Sequence, residues 1–426
     1  MFAYADDQKI ALKHASEIIK VQEIVHRYEK VSGLKLHRDV ARKKCNILSF
    51  GKHKKVRLWP TFVNQVNKTK IIGAFFLNEG NLEIENSIYA RNKCLDKIKA
   101  NWGLKGTLLQ KVYFVNTFCL TKLNYISQAF KMDTKHLEEI KKLSLKFIYA
   151  GENERPTSNV NYRKISEGGI GLVEAELKSK SLLYKSVLKE IRERNIVLKS
   201  NELDGDIYGA DEVIIQFIKE GKMNLTSKEI YDKLVYNLLR RNTSLIPSRI
   251  EKKVSNVKWS NSYHNYKYLS EVDPREKELL FRVIQDLVPV AARLHQKSDK
   301  RCLRLLHNNT ICVQTADKEH FLQQCDSMNE VTRKVKAIGH KILQNKNLTH
   351  RDLLFFSFKG RSKNKGKVFS WFLIKVYKKV FYDKLTEVTK IWAEILKDLD
   401  FAERNKFKLT EVKEFGLLKE MVLKLQ

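Results

Sequence analysis

Apolar residues recur at helical spacing along most of the chain. Between residues 8 and 31, Ala11, Ala15, Ile18, Val21, Val25 and Tyr28 are separated by three or four positions and form one stripe, which predicts an amphipathic helix. Ser32-Gly33 closes it, with Gly33 suited to a left-handed C-cap. Two short strand-like runs follow, at residues 34–36 and 46–50. Ile71-Ile72-Gly73-Ala74-Phe75-Phe76 reads as a further strand with a glycine kink. From residue 84 the helical period takes over. Ile88, Leu95, Ile98 and Trp102 predict one helix, residues 107–120 a second, and Leu137, Ile140, Ser144 and Phe147 a third. Gly168-Gly169-Ile170-Gly171 is a turn, followed by a helix to about residue 192. Residues 193–225 mix charges and glycines and read as a connector. Helical patterns resume at residues 227–239 and 275–294, the cysteines beyond residue 300 fall in a loop-rich stretch, and helices dominate from there on. The expectation is a mostly α chain with a small α+β segment at its start.

Composition sharpens this picture. Hydrophobic residues make up 43% of the 426 positions and charged residues 31%, a globular balance rather than a disordered one. Lys plus Arg number 81 against 49 Asp plus Glu, a formal net charge of +32. A surplus of that size points to a polyanionic partner, nucleic acid before others. No apolar run is long enough for a membrane span, and the first residues lack the basic-then-apolar order of a signal peptide, so a nuclear or cytoplasmic protein is expected. Six cysteines in so long a chain suggest free or metal-bound thiols rather than a disulfide scaffold.

The basic residues cluster. Residues 38–57 hold Arg38, Arg42, Lys43, Lys44, Lys52, Lys54, Lys55 and Arg57 with Asp39 as the one acid. Residues 359–379 hold Lys359, Arg361, Lys363, Lys365, Lys367, Lys375, Lys378 and Lys379 with no acid, interleaved with Phe369, Trp371, Phe372 and Tyr377, and Phe381 lies just beyond. The lysines are expected to meet phosphates. The aromatics fit a core stripe better than a base-stacking platform, although both uses suit the residue type.

Tyr4-Ala5-Asp6-Asp7 carries the sharpest chemistry. A short strand leads into a tight turn bearing adjacent carboxylates, which are hard oxygen ligands suited to Mg2+. Polymerases place carboxylates this way because two divalent ions must bridge the attacking hydroxyl and the transferred phosphate. Taken alone, two aspartates in a turn are also ordinary turn chemistry.

The order of landmarks decides between these readings. YADD is followed by an amphipathic helix, by Ser32-Gly33-Leu34-Lys35-Leu36, by Lys43-Lys44-Cys45-Asn46-Ile47-Leu48, and by Lys70 to Phe76. Then come Trp102-Gly103-Leu104-Lys105-Gly106, Lys122-Leu123-Asn124-Tyr125, Phe147-Ile148-Tyr149-Ala150-Gly151 and Gly168-Gly169-Ile170-Gly171-Leu172. This series resembles the end of the palm and the thumb of non-LTR (LINE-type) retrotransposon reverse transcriptases, with Tyr149 in place of the family's usual tryptophan. The likeness is strong over residues 3–190 and looser to about residue 326.

The resemblance implies a palm remnant at residues 1–78, a helical thumb at 79–192, a connector at 193–274, a helix with a zinc-knuckle-like region at 275–345, and a basic helical region at 346–426. It implies RNA-directed DNA synthesis primed at nicked target DNA, with an RNA template and a DNA target as partners, no membrane and no small-molecule cofactor. Asp6 would ligate Mg2+ with Asp7 beside it, and Tyr4 would touch the primer–template. Lys44 or Lys43 would lie near the incoming triphosphate, and Gly73 would belong to the primer grip. Lys54, Lys55, Arg57, Lys363, Lys365 and Lys367 join these as candidate nucleic-acid contacts. The family's third carboxylate and its fingers precede YADD, and these 426 residues do not hold them. The chain by itself is therefore expected to be inactive, a truncated element or a relic. The alternative is a non-catalytic nucleic-acid-binding protein built from the thumb and knuckle.

The family also carries a zinc knuckle of the form C-x2-C-x7-H-x4-C. Cys312, His320 and Cys325 match its last three ligands, with seven and four residues between them. The first ligand of that pattern should fall at position 309, which is Asn309, and Cys302 and His307 are the substitutes nearby. Four of the five residues Cys302, His307, Cys312, His320 and Cys325 are expected to hold Zn2+, with donor atoms clustered within about 4 Å of one another.

Overall fold

Helices form wherever apolar positions keep their three-and-four spacing, and the protein is mostly helical. The computed structural model describes residues 2–4, 7–9, 17–32, 45–48, 63–71, 73–149, 158–194, 212–241, 254, 257–269, 272–288, 290, 300–302, 304, 310–345, 347–360, 362–383 and 387–425. The chain divides into two units that interleave along the sequence. The first takes Met1–Ala100, Phe118–Leu143 and Glu174–Leu234, and the second takes Asn101–Thr117, Ser144–Val173 and Val235–Gln426. No described helix is long and apolar enough to cross a membrane.

Among the described residues, the first unit carries three two-stranded sheets. Phe2–Tyr4 pairs antiparallel with Asp7–Lys9, and Cys45–Ile47 pairs parallel with Val63–Gln65. The helix expected from residue 8 begins at Glu17 and ends at Ser32, residues 7–9 being committed to a strand ladder instead. The single kinked strand expected at residues 71–76 is a hairpin, Lys68–Ile71 against Ala74–Leu77, with Gly73 between the arms at φ 88°. Glycine adopts that left-handed conformation without the Cβ clash other residues suffer, so the chain reverses where a simple kink was expected.

Asn86 anchors the hairpin to the Leu82–Ala100 helix, beside the Lys68–Glu85 ion pair, the Lys70–Tyr89 hydrogen bond and the Phe75–Tyr89 ring contact. Asn86, fully buried, accepts from the Phe75 amide and donates to the Phe75 carbonyl, both at 2.8 Å. That pair satisfies a strand edge which would otherwise bury unpaired backbone groups. Ala90, Cys94 and Ile98 face inward on the same helix. The Ala175–Glu193 helix packs on the short Ile126–Ala129 turn, where the Ser179 hydroxyl donates to Ser127 at 3.0 Å. A helix at Glu212–Lys219 occupies part of the stretch read as connector, its eight residues being too few for the period to stand out.

In the second unit the diglycine turn is explained by crowding. Gly168 has φ 78°, and a Cβ there would lie 2.1 Å from the Tyr263 ring. Asn116 clamps the same turn, donating to the Gly171 carbonyl and accepting from the Val173 amide at 2.9 Å each. Tyr149 is buried and its hydroxyl donates to Asn161 at 2.5 Å.

The centre of this unit is the Lys363–Phe381 helix. Phe369, Trp371, Phe372, Ile374 and Tyr377 are all 3% exposed or less, so the aromatics belong to the core. Phe372 stacks on Trp392 of the Val388–Arg404 helix, with ring centroids 6.2 Å apart, and Trp371 meets Phe415 of the Lys413–Leu423 helix at 5.9 Å. Part of the basic run turns inward with them. Lys375 and Lys378 reach the fully buried Glu276 at 2.7 and 3.0 Å, and Lys379 lies 3.4–3.5 Å from Asp383, Glu394 and Asp398. These three lysines pair with the protein's own acids rather than facing external phosphates: Lys375 and Lys378 offset the buried Glu276, and the buried Lys379 is matched by the part-exposed Asp383, Glu394 and Asp398.

Candidate metal centre

Two extended arms and one distorted helical turn build the site. An isolated antiparallel bridge joins Arg301 to Thr315. The Cys302 amide donates to the Gln314 carbonyl and the Cys312 amide to the Arg304 carbonyl, both at 2.8 Å. Side chains alternate along an extended arm, so this register puts Cys302 and Arg304 on one face with Cys312 opposite Arg304. Asp317 then starts the turn, its carboxylate accepting from the His320 amide at 2.7 Å. A π-helical turn runs from His320 to Gln324 and delivers Cys325, whose amide returns to the His320 carbonyl at 2.9 Å.

Cys302, Cys312, His320 and Cys325 converge, and all four donor atoms lie within 4.8 Å of one another. The Cys312 sulfur is 3.3 Å from His320 Nε2, and the Cys302 and Cys325 sulfurs are 3.8 Å apart. Zinc–ligand bonds of about 2.0–2.3 Å in a tetrahedron put the donors about 3.3–3.8 Å apart. Both pairs match that geometry, and a pair at the 4.8 Å limit needs about 1 Å of contraction. The group could hold a metal such as zinc. Three thiols and an imidazole are the soft and borderline donors zinc favours.

The surroundings suit coordination. Cys312, His320 and Cys325 are buried and Cys302 is half-buried. Burial pushes the Cys302 thiol up to about 12, while the neighbouring Arg304 amide pulls it back. Burial also opposes the Cys325 thiolate, but hydrogen bonds from the Ser327 hydroxyl and amide outweigh it and the thiol is held below its ordinary value. Burial lowers His320, which favours the neutral imidazole that a metal requires. Arg304 lies across the site. Its guanidinium donates to the Phe321 carbonyl, covers the Phe321 ring at 3.8 Å and reaches the Cys325 sulfur.

The other sequence candidates are placed as follows. Tyr4 ends the first strand and Asp7 begins the second, the two being direct partners in the ladder. Gly73 lies at the hairpin turn, where a Cβ would sit 3.5 Å from the Tyr125 ring. Lys363 is exposed and Lys365 and Lys367 are half-buried on the first turns of their helix. Asp6, Lys43, Lys44, Lys54, Lys55, Arg57 and His307 lie outside the described residues. Arg304 and Ser327 were not singled out from sequence. Each stands two positions after a cysteine, Cys302 and Cys325, and that shared spacing is the one sequence signal they carry.

No protein-family model and no curated protein matches this chain.

Proposed function

We propose that this chain is the palm end, thumb and C-terminal portion of a non-LTR retrotransposon reverse transcriptase, and that its second unit is a zinc-stapled nucleic-acid-binding module. One observation carries the reading: Cys302, Cys312, His320 and Cys325 converge, and the last three keep the spacing of the knuckle in that family. Cys302 is then the fourth zinc ligand, reaching the site because the antiparallel arms bring it beside Cys312. Zinc closes a segment with little regular structure of its own and holds the adjoining basic surface in one shape.

The polymerase half of the proposal rests on YADD. Asp6 and Asp7 would supply carboxylate oxygens to Mg2+, and the pairing of Tyr4 with Asp7 is what a hairpin presenting that dipeptide requires. RNA template and DNA target are the proposed partners, drawn by a net charge of +32. The second reading, a nucleic-acid-binding protein without polymerase chemistry, uses the same basic surfaces and the same zinc. Metal-dependent extension of a primer on an RNA template, abolished by Asp6→Ala, assigns the first. The chain by itself is expected to bind without extending under both readings, so the second is assigned only if extension is still absent when fingers and the upstream carboxylate are supplied in front of Tyr4.

Metal analysis of the purified chain tests the centre common to both. About one zinc per chain is expected, with loss of that zinc in Cys312→Ser. Protein purified without zinc that takes up none when it is supplied would sink the proposal.

A further inference from the structure

Arg304 is 8% exposed, a depth at which arginine is rare unless its charge is matched. Among the described residues no carboxylate pairs with it. Its guanidinium donates to the Phe321 carbonyl, lies 3.8 Å above the Phe321 ring and faces the sulfurs of Cys302, Cys312 and Cys325. The carbonyl and the ring are neutral, and the sulfurs beside it become negative charge once a bound metal displaces their protons. The arm register that delivers Cys302 also delivers Arg304, since the two are separated by one residue on the same extended face and Arg304 stands opposite Cys312.

Charge counting gives this geometry a meaning. Zinc bound by three thiolates and a neutral imidazole keeps one net negative charge, whereas a site with two thiolates and two imidazoles is neutral. A buried anion needs a partner as much as a buried cation does. We propose that Arg304 is the positioning residue of the metal centre: it supplies the counter-charge to the anionic three-cysteine, one-histidine zinc complex and orients the Cys325 sulfur by hydrogen bonding. The inference rests on the zinc reading above and adds that the metal-loaded centre, not the Phe321 contact, is what keeps a guanidinium at this depth. Lysine would bring the charge without the flat stacking face. Methionine would bring comparable bulk without the charge.

The test compares the full-length chain with Arg304→Met and Arg304→Lys. Zinc affinity is read by competition with a chromophoric chelator, and the sulfur-to-metal charge-transfer band is read after loading with Co2+. Loss of an outer partner of a metal ligand costs about 10–100-fold in affinity, and that is the loss expected for Arg304→Met. Arg304→Lys should recover more than half of it on a logarithmic scale, and the cobalt band should shift in the Met variant and return toward wild type in the Lys variant. Arg304→Gln, uncharged but polar, carries the same expectation as Met and replaces it where the Met variant does not fold. Equal losses in the charged and uncharged variants would show that shape, not charge, matters, and would overturn the inference. Wild-type affinity in both would overturn it as well. A wild-type chain that binds neither zinc nor cobalt would instead remove the reading on which it rests.

Discussion

Gly169→Ala should be one of the most damaging single-methyl changes in the second unit. A Cβ at Gly169 would lie 2.1 Å from the Arg163 carbonyl oxygen and 2.5 Å from its carbon, and both atoms are backbone. No rotamer change relieves that clash, so the chain at residue 163 must retreat by about 1 Å to reach ordinary contact. That carbonyl accepts from the Gly171 amide at 3.0 Å, beside the bonds from Ile170 to Val160 at 3.2 Å and from Leu172 to Asn161 at 2.9 Å. Three backbone bonds at about 0.5–1.5 kcal/mol net each put the cost at about 2–4 kcal/mol. For a domain of this size that corresponds to a Tm lower by about 5–15 °C. Gly416→Ala is the matched control. Gly416 is exposed on the Lys413–Leu423 helix, nothing lies within 4 Å of its added Cβ, and alanine is the better helix former. It should gain about 0.5–1 kcal/mol. Thermal melts of the two variants by circular dichroism decide the matter. A Gly169→Ala protein that melts with the wild type, or a Gly416→Ala protein that melts lower than it, refutes the steric reasoning.

Two further outcomes follow from charge. Nucleic-acid affinity should fall by about 10³ between 50 and 200 mM salt if about six phosphates are contacted, and replacing Lys363, Lys365 and Lys367 together with alanine should flatten the slope by up to about 2.7 logarithmic units per decade of salt. A titration with no salt dependence would remove the phosphate-binding reading. Glu174→Gln should stabilise the first unit at neutral pH. Burial raises the Glu174 carboxyl above its ordinary value, with the Leu177 amide bond at 2.7 Å opposing. A carboxyl raised in the folded state penalises folding above its folded value, and the penalty fades as pH falls through that value toward the unfolded one. The Gln side-chain oxygen keeps the Leu177 bond without the charge, so its advantage in urea melts should be largest near neutral pH and shrink on acidification. A Gln variant less stable than wild type at neutral pH contradicts this.

Local period made the long helices legible. Phe369, Phe372 and Tyr377 repeat on one face, and the aromatic stripe was readable as core for that reason. In the Leu82–Ala100 helix the period located the element but not its face: Ile88 and Leu95 are half-buried and Trp102 lies exposed beyond the end, while Ala90, Cys94 and Ile98 are buried. The hairpin at residues 68–77 was hidden because Ile71, Ile72, Ala74, Phe75 and Phe76 make one apolar run, and only the backbone angle of Gly73 separates a kink from a reversal. Lysine roles were hidden for a different reason. Residues 359–379 contain no acid, yet Glu276 and Glu394 arrive from 99 and 15 positions away to claim Lys375 and Lys379. At the metal centre, the order and spacing of Cys312, His320 and Cys325 were readable, whereas the place of Cys302 was set by strand register, which spacing alone does not encode.

The interleaving of the two units governs how the chain can be made and cut. Translation releases Asn101–Thr117 of the second unit long before Val235 exists, and the first unit is not complete until Leu234 has emerged. The Leu108 amide must wait for Glu278, 170 residues later, and the Gly168 carbonyl for Gln285, 117 residues later. Such distant closures come late and slowly in folding, so the nascent helices stay exposed to chaperones and to one another for most of synthesis. The same threading defeats simple dissection. A fragment starting at residue 235 keeps every cysteine and histidine of the candidate zinc group but lacks Leu108, Asn116, Tyr149 and the diglycine turn, and a fragment ending at residue 192 leaves the Glu174 amide without the Tyr231 hydroxyl that caps it.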